Sequence, residues 1–114
     1  MGQFTGKVSE EILAELTRRL VEEFDPEQII LFGSQAWGTP GEDSDVDLYV
    51  IVSESAEKPW RRMVRAEKCI GGVMFATDIL VKTRAEAEAY KDVRASLAHK
   101  VFTEGRVLYE RREE

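Results

Sequence analysis

Two apolar runs joined through Gly33-Ser34 and Asp45-Val46-Asp47 constrain this chain more than any other feature. The run Ile29-Ile30-Leu31-Phe32 enters a small-residue turn. Ten residues after Ser34 a second strand opens with two acids and continues as Leu48-Tyr49-Val50-Ile51-Val52. Residues two apart on a strand point to the same face, so Asp45 and Asp47 aim their carboxylates one way. Two clustered anions repel unless a cation sits between them. A Gly-Ser turn offers backbone N–H groups and a hydroxyl that suit a phosphate. Acids for a metal beside donors for a phosphate is the layout of metal-assisted phosphoryl or nucleotidyl transfer.

The spacing predicts an α/β domain: a small mixed sheet with helices packed mainly on one side. Ser9 caps a helix that carries Ile12, Leu13, Leu16, Leu20, Val21 and Phe24 at helical spacing and stops at Asp25-Pro26. Strands follow at Gln28 to Phe32 and Ser44 to Val52, separated by a turn or short helix and the loop Thr39 to Asp43. On the second strand Val46, Leu48, Val50 and Val52 form an apolar, buried face opposite Asp45, Asp47, Tyr49 and Ile51. A helix is expected from Glu57 to Ile70, broken by Gly71-Gly72, and a third strand from Val73 to Lys82 with Asp78 inside it. Thr83 and Glu86 make a capping box for a single last helix running to about Thr103, stopped near Gly105. A short strand at Arg106 to Tyr109 completes the sheet, and Arg111 to Glu114 should fray.

The length, 114 residues, suits one domain spanning 1–114 and leaves no room for a separate acceptor-binding domain. A formal charge of −6 argues against non-specific nucleic-acid binding, which is driven by Lys and Arg neutralising phosphates, and suits a basic protein partner. The single cysteine, Cys69, excludes an intrachain disulfide and a thiolate metal cluster. With no signal pattern at Met1 to Lys7 and no long apolar run, the chain reads as cytoplasmic, with no membrane association.

Asp78 interrupts an otherwise nearly apolar stretch, and a bare carboxylate inside a sheet is costly. Either it faces water from an edge strand, or it meets Asp45 and Asp47 around a hard cation. A calcium loop through Asp43, Asp45 and Asp47 fails at its sixth position, where glycine is required and Leu48 stands. His99 reads as surface or partly packed, Cys69 as packing, and Arg61, Arg62, Arg65 and Lys68 as a solvated helix face. Trp37 and Trp60 read as core, with base or partner stacking as the alternative for Trp37.

Gly-Ser, ten residues, Asp-x-Asp and a later strand Asp resembles the DNA polymerase beta superfamily of nucleotidyltransferases, in its minimal one-domain (MNT) branch. The resemblance covers Ile29 to about Val81, and the ending Val101 to Tyr109 also looks like that branch. It implies that Gly33 and Ser34 hold the triphosphate of ATP or another NTP. It further implies that Asp45 and Asp47 hold Mg²⁺ or Mn²⁺ while Asp78 completes the site and helps activate an acceptor hydroxyl. An antitoxin role beside a helical HEPN-type toxin partner, in some cases by adenylylating it, belongs to the same implication. Many minimal members place a basic residue after the Gly-Ser pair; Gln35 stands there in this chain. The competing class is an antitoxin that neutralises by contact alone. A small-molecule transferase of the aminoglycoside type usually needs more chain than this.

Overall fold

Ser9 opens the first helix, α1 (Glu10–Phe24), by accepting a hydrogen bond from the Ile12 N–H, and Leu13, Leu16 and Leu20 bury one stripe of it. The computed structural model describes residues 8–37, 45–73 and 75–112. Asp25 ends α1 in the left-handed region at φ 47°, donating its N–H to the Val21 carbonyl, and Pro26 prevents any continuation. The strand β1 (Gln28–Phe32) and the one-turn helix α2 (Ser34–Trp37) follow, then β2 (Val46–Val52). Next come α3 (Pro59–Cys69), β3 (Thr77–Thr83), α4 (Arg84–Ala89), α5 (Leu97–Glu104) and β4 (Arg106–Glu110).

The four strands form one mixed sheet in the order β3-β2-β1-β4. β1 runs antiparallel to β2 and β4, and β2 runs parallel to β3. A parallel pair needs a crossover, and the segment carrying α3 supplies it. The two longer helices, α1 and α3, cover one face, packing on Ile29, Leu31, Leu48, Val50, Ile79 and Val81. The short α4 and α5 cover part of the other, over Ile30, Phe32, Tyr49 and Ile51. β2 is therefore buried on both faces beyond Asp47. No helix among the described residues is long and apolar enough to cross a membrane.

Three elements differ from the sequence expectation. The single helix predicted from Thr83 to Thr103 is two helices, because Ser96 acts as a second N-cap. Its Oγ accepts from the His99 N–H and donates to the Tyr90 carbonyl at 2.6 Å. The predicted capping box at Thr83 and Glu86 is present and starts α4. The third strand begins at Thr77 rather than Val73, since Gly72 takes φ 92° and the Val73 N–H returns to the Ile70 carbonyl. Arg62, expected on a solvated face, is only 3% exposed. It is held by the carboxylate of Glu86 and the carbonyls of Val81 and Glu57. Ser44 and the loop Thr39 to Asp43 lie outside the described residues.

Candidate active site

The acid end of the sheet is set by register. Phe32, the last residue of β1, pairs with Asp47 on β2, and Asp47 pairs in turn with Asp78 on β3. Adjacent strands lie about 4.8 Å apart, so these two carboxylates start from neighbouring backbone on the same sheet face. Asp78 is the second residue of an edge strand and is exposed. It faces water from the edge strand, the first of the two alternatives, and its backbone stands beside that of Asp47. Asp45 sits exposed, one step before β2 begins.

The chain just after β1 fits around Asp47. Gly33 adopts φ 79°, a region that L side chains rarely enter. A Cβ at this position would stand 3.2 Å from the Asp47 Cγ and would overlap Oδ2. The missing side chain is therefore the room that the Asp47 carboxylate occupies. The Gly33 carbonyl accepts the N–H groups of Ala36 and Trp37, both at 3.0 Å, which closes α2 directly behind the turn. Ser34 begins this turn of helix and is half-buried.

Burial pushes the Asp47 carboxyl above the usual carboxylate range, with the charge of Asp78 and then that of Asp45 adding to the effect. Among the described residues no cation forms an ion pair with any of the three. No group of three acidic, His or Cys side chains among them is gathered closely enough to hold a metal ion by itself. The arrangement is a facing pair, Asp47 and Asp78, with Asp45 close enough to act on it electrostatically. That donor set fits a hard divalent cation, because Mg²⁺ is commonly bound through one or two carboxylates while water and substrate phosphate complete its octahedron.

Gln35 turns away from this site. It is 8% exposed, and its Oε1 accepts the Val8 N–H at 2.9 Å, pinning the chain ahead of α1. A lysine or arginine has no acceptor to offer there. Trp37 is neither buried core nor a free platform: its Nε1 donates to the Glu104 carbonyl at 3.1 Å, and the Lys100 ammonium lies 4.2 Å from the ring centre. His99 donates Nδ1–H to the Lys91 carbonyl at 2.8 Å and braces the α4–α5 turn. Cys69 is half-buried and its thiol is pushed up, mainly by burial. Of the basic stretch, Arg65 pairs with Glu23 and Glu57, and Arg61 lies over Trp60.

Sequence reasoning gave no role to Tyr49, which lies beside the acids, and misplaced Arg62, which lies toward the far end of β3. Tyr49 follows Asp47 on the same face and is 3% exposed; burial and then the Glu86 charge raise its hydroxyl pKa. Arg62 shares the buried stripe of α3 with Ala66 and Cys69 at helical spacing, a signal that a count of basic residues overlooks.

Residues 14–114 match the family model described as Polymerase beta, Nucleotidyltransferase. A protein from Sulfolobus solfataricus, described as a nucleotidyltransferase, shares the fold with a TM-score of 0.64 at 19% identity, over 89% of this chain and 79% of that one. Two mutant structures of the toxin-antitoxin pair MntA-HpeT are also similar. One has a TM-score of 0.54 at 20% identity, over 93% of this chain and 76% of the other. The second has a TM-score of 0.51 at 18% identity, over 92% and 76%. At these identities the likeness is one of fold. No curated protein matches the sequence.

Proposed function

The chain belongs to the polymerase beta nucleotidyltransferase family, and on that premise we propose that it moves NMP, AMP in the first instance, from an NTP to a hydroxyl on a toxin-like protein partner. Residues 1–114 act as one catalytic domain in the cytoplasm, and the partner is of the HEPN type. The observation that carries this reading is the in-register pair Asp47 and Asp78 beside Gly33, whose absent side chain makes room for the Asp47 carboxylate.

Gly33 and Ser34 receive the triphosphate, whose approach a larger residue at position 33 would obstruct. Asp45, Asp47 and Asp78 would hold Mg²⁺ or Mn²⁺. When bound, such ions supply Lewis-acid stabilisation of the attacking and leaving oxygens. The acceptor oxygen forms a bond to the α-phosphorus as the bond from that phosphorus to the bridging oxygen breaks. Pyrophosphate leaves, and the hydroxyl proton passes to Asp78 or to water. Asp78 suits the acceptor side because it lies on the open edge of the sheet, where a second protein can reach it.

A second reading, an antitoxin acting by contact, is favoured by the buried structural role of Gln35, which leaves no basic side chain directly after the Gly-Ser pair. One experiment separates the two. Purified chain, Mg²⁺ and labelled ATP are mixed with the co-encoded partner, using wild type and Asp45→Asn. Label on the partner that disappears with Asp45→Asn, together with lost neutralisation of toxicity, supports transfer. Equal neutralisation without label in either case would establish the contact reading.

A further inference from the structure

The outer face of α3 is built unlike that of α1. Each arginine on α1 is tied to a glutamate of its own helix, Arg18 to Glu15 and Glu22, Arg19 to Glu15. The outward ridge of α3 is Trp60, Val64 and Lys68, at every fourth residue. Trp60 is 58% exposed and Val64 45%. Lys68 makes no ion pair among the described residues. α3 cannot rotate to cover them, because Arg62, Ala66 and Cys69 on its opposite side are packed toward the sheet. A second ridge, Arg61 and Arg65, runs alongside, with Glu57 just ahead of it. These six side chains line a cleft of about 210 Å³. Arg65 is fixed there by Glu23 and Glu57, and the Arg61 guanidinium lies 5.1 Å from the Trp60 ring centre.

This lining is complementary to itself. In an antiparallel pair of identical helices, the numbers of facing residues have a constant sum. With a two-fold axis between Arg61 and Val64, Lys68 faces Glu57 of the second copy. Trp60 then faces Arg65, and Val64 faces Arg61. Each gains what it lacks alone. Lys68 gains an anion, the free side of the Trp60 ring gains a guanidinium, and Val64 gains an aliphatic stem. Just outside, the exposed Glu67 comes to the exposed Lys58. No facing pair is of like charge in this register. A slip of one turn sets Arg61 against Lys68 and loses the match. Ridges at i±4 interlock in the commonest class of helix packing.

We propose that α3 is a homodimer interface: two copies join through their Trp60 ridges about a two-fold axis, each closing the other's cleft. The self-complementary pattern is what selects a second copy as the occupant. An anionic membrane would need the apolar side of the helix free, and the sheet holds that side. Nucleic acid would meet Glu57 and Glu67 on the same face. One three-turn helix against its copy is a small contact, so the dimer should dissociate in the micromolar range. The inference does not depend on the transfer reading. α3 covers the sheet face opposite the one shared by Asp47 and Tyr49, so the dimer leaves both acid ends uncovered.

Sedimentation equilibrium of the full chain, from low micromolar to near-millimolar concentration, tests this. Wild type should shift from one chain to two as concentration rises. Trp60→Ala should weaken dimerisation by roughly 30-fold or more, as loss of a central aromatic does at other interfaces. Glu57→Lys and Lys68→Glu each set two like-charged pairs face to face and should weaken it by roughly 3- to 30-fold. An equimolar mixture of those two variants restores both pairs and should dimerise as wild type does. Urea midpoints check that each variant folds. Should Glu57→Lys unfold through its loss of Arg65, Glu67→Lys mixed with Lys58→Glu repeats the swap at the flanking pair. Wild type that stays monomeric throughout overturns the proposal, as does dimerisation unchanged by Trp60→Ala. Folded swap variants whose mixture fails to recover overturn the pairing on which it rests. Monomeric wild type whose binding to phosphatidylglycerol vesicles or to the co-encoded partner falls with Trp60→Ala gives the face to that occupant and overturns the dimer.

Discussion

Replacing Gly33 by alanine adds one methyl group at the tightest point of the site. Two costs arise from separate causes. A non-glycine residue at φ 79° is strained by about 1–2 kcal/mol. The new methyl also overlaps the Asp47 carboxylate, which must rotate away from its rotamer at about 0.5–1.5 kcal/mol. Together these lower stability by roughly 1.5–3.5 kcal/mol, which for a urea slope near 1.5 kcal/mol/M moves the midpoint down by about 1–2 M. The two causes separate in a double-mutant cycle. In an Asp47→Ala background the overlap is gone and only the strain remains. Gly33→Ala should then be less damaging by about 0.5–1.5 kcal/mol, a coupling above the error of additivity. Calorimetric titration with Mg²⁺ should show weakened binding in Gly33→Ala, because the displaced carboxylate no longer faces Asp78. An unchanged urea midpoint would refute the backbone argument. A full loss of stability with no coupling to Asp47 would refute the claim that Gly33 exists to accommodate that carboxylate.

Other consequences are open to direct measurement. Glu86→Gln leaves the buried Arg62 guanidinium without its anion and should cost about 1–3 kcal/mol in urea unfolding. The Glu86 carboxyl is held at about 2, chiefly by Arg62. Its ordinary value is about 4.3, so the stabilisation is complete above that pH and is lost as pH falls toward 2. The Glu86→Gln variant should lack this part of the acid slope, and an identical slope would contradict the pairing. Asp78→Asn removes a like charge facing Asp47, so in EDTA it should be more stable than wild type by about 0.2–1 kcal/mol in a thermal melt. Mg²⁺ should raise the melting temperature of wild type and not of this variant; equal metal responses would count against the site. Gln35→Lys, which restores the basic residue frequent after Gly-Ser, should lower stability by about 1–3 kcal/mol, because the Val8 N–H loses its acceptor. Faster transfer without destabilisation would show that Gln35 is a catalytic deficit.

Elements bounded by strong local chemistry were legible in the sequence. β1 falls at Gln28–Phe32 because Asp25-Pro26 and Gly33 bracket a run that is apolar from Ile29 to Phe32. α1 begins after Ser9 because its side chain accepts the Ile12 N–H ahead of an apolar helical stripe. The break between α4 and α5 was hidden because most residues from Arg84 to Thr103 tolerate a helix, and only Ser96, one cap among many polar residues, marks it. The strand propensity of Val73 and Phe75 points to an earlier start for β3, but Gly72 and the turn at Ile70 override it. Asp45, Asp47 and Asp78 were identifiable as a set, but their arrangement depends on β3 lying beside β2 in one register, a non-local fact. The cleft of about 430 Å³ lined by Tyr49, Leu80, Lys82, Glu86 and Tyr90 among others is illegible for the same reason, since it needs β2, β3, α4 and α5 packed together.

The parallel pairing of β2 with β3 also has a kinetic side. Every rung of that ladder joins residues 31 apart, as with 47 and 78, whereas the rung between Phe32 and Asp47 joins residues 15 apart. Long closures are slow to form, so the antiparallel β1–β2 ribbon precedes the arrival of β3. Once β3 docks, its far end is fastened by the capping box at Thr83 and by Arg62 reaching the Val81 carbonyl. The near end brings carboxylate against carboxylate. The ladder is therefore expected to zip from Thr83 toward Asp78, and the Asp47–Asp78 rung, one short of the terminal Val46–Thr77 rung, closes against electrostatic resistance. That end should be the first to open, so amide exchange along this ladder should be quickest near the acids.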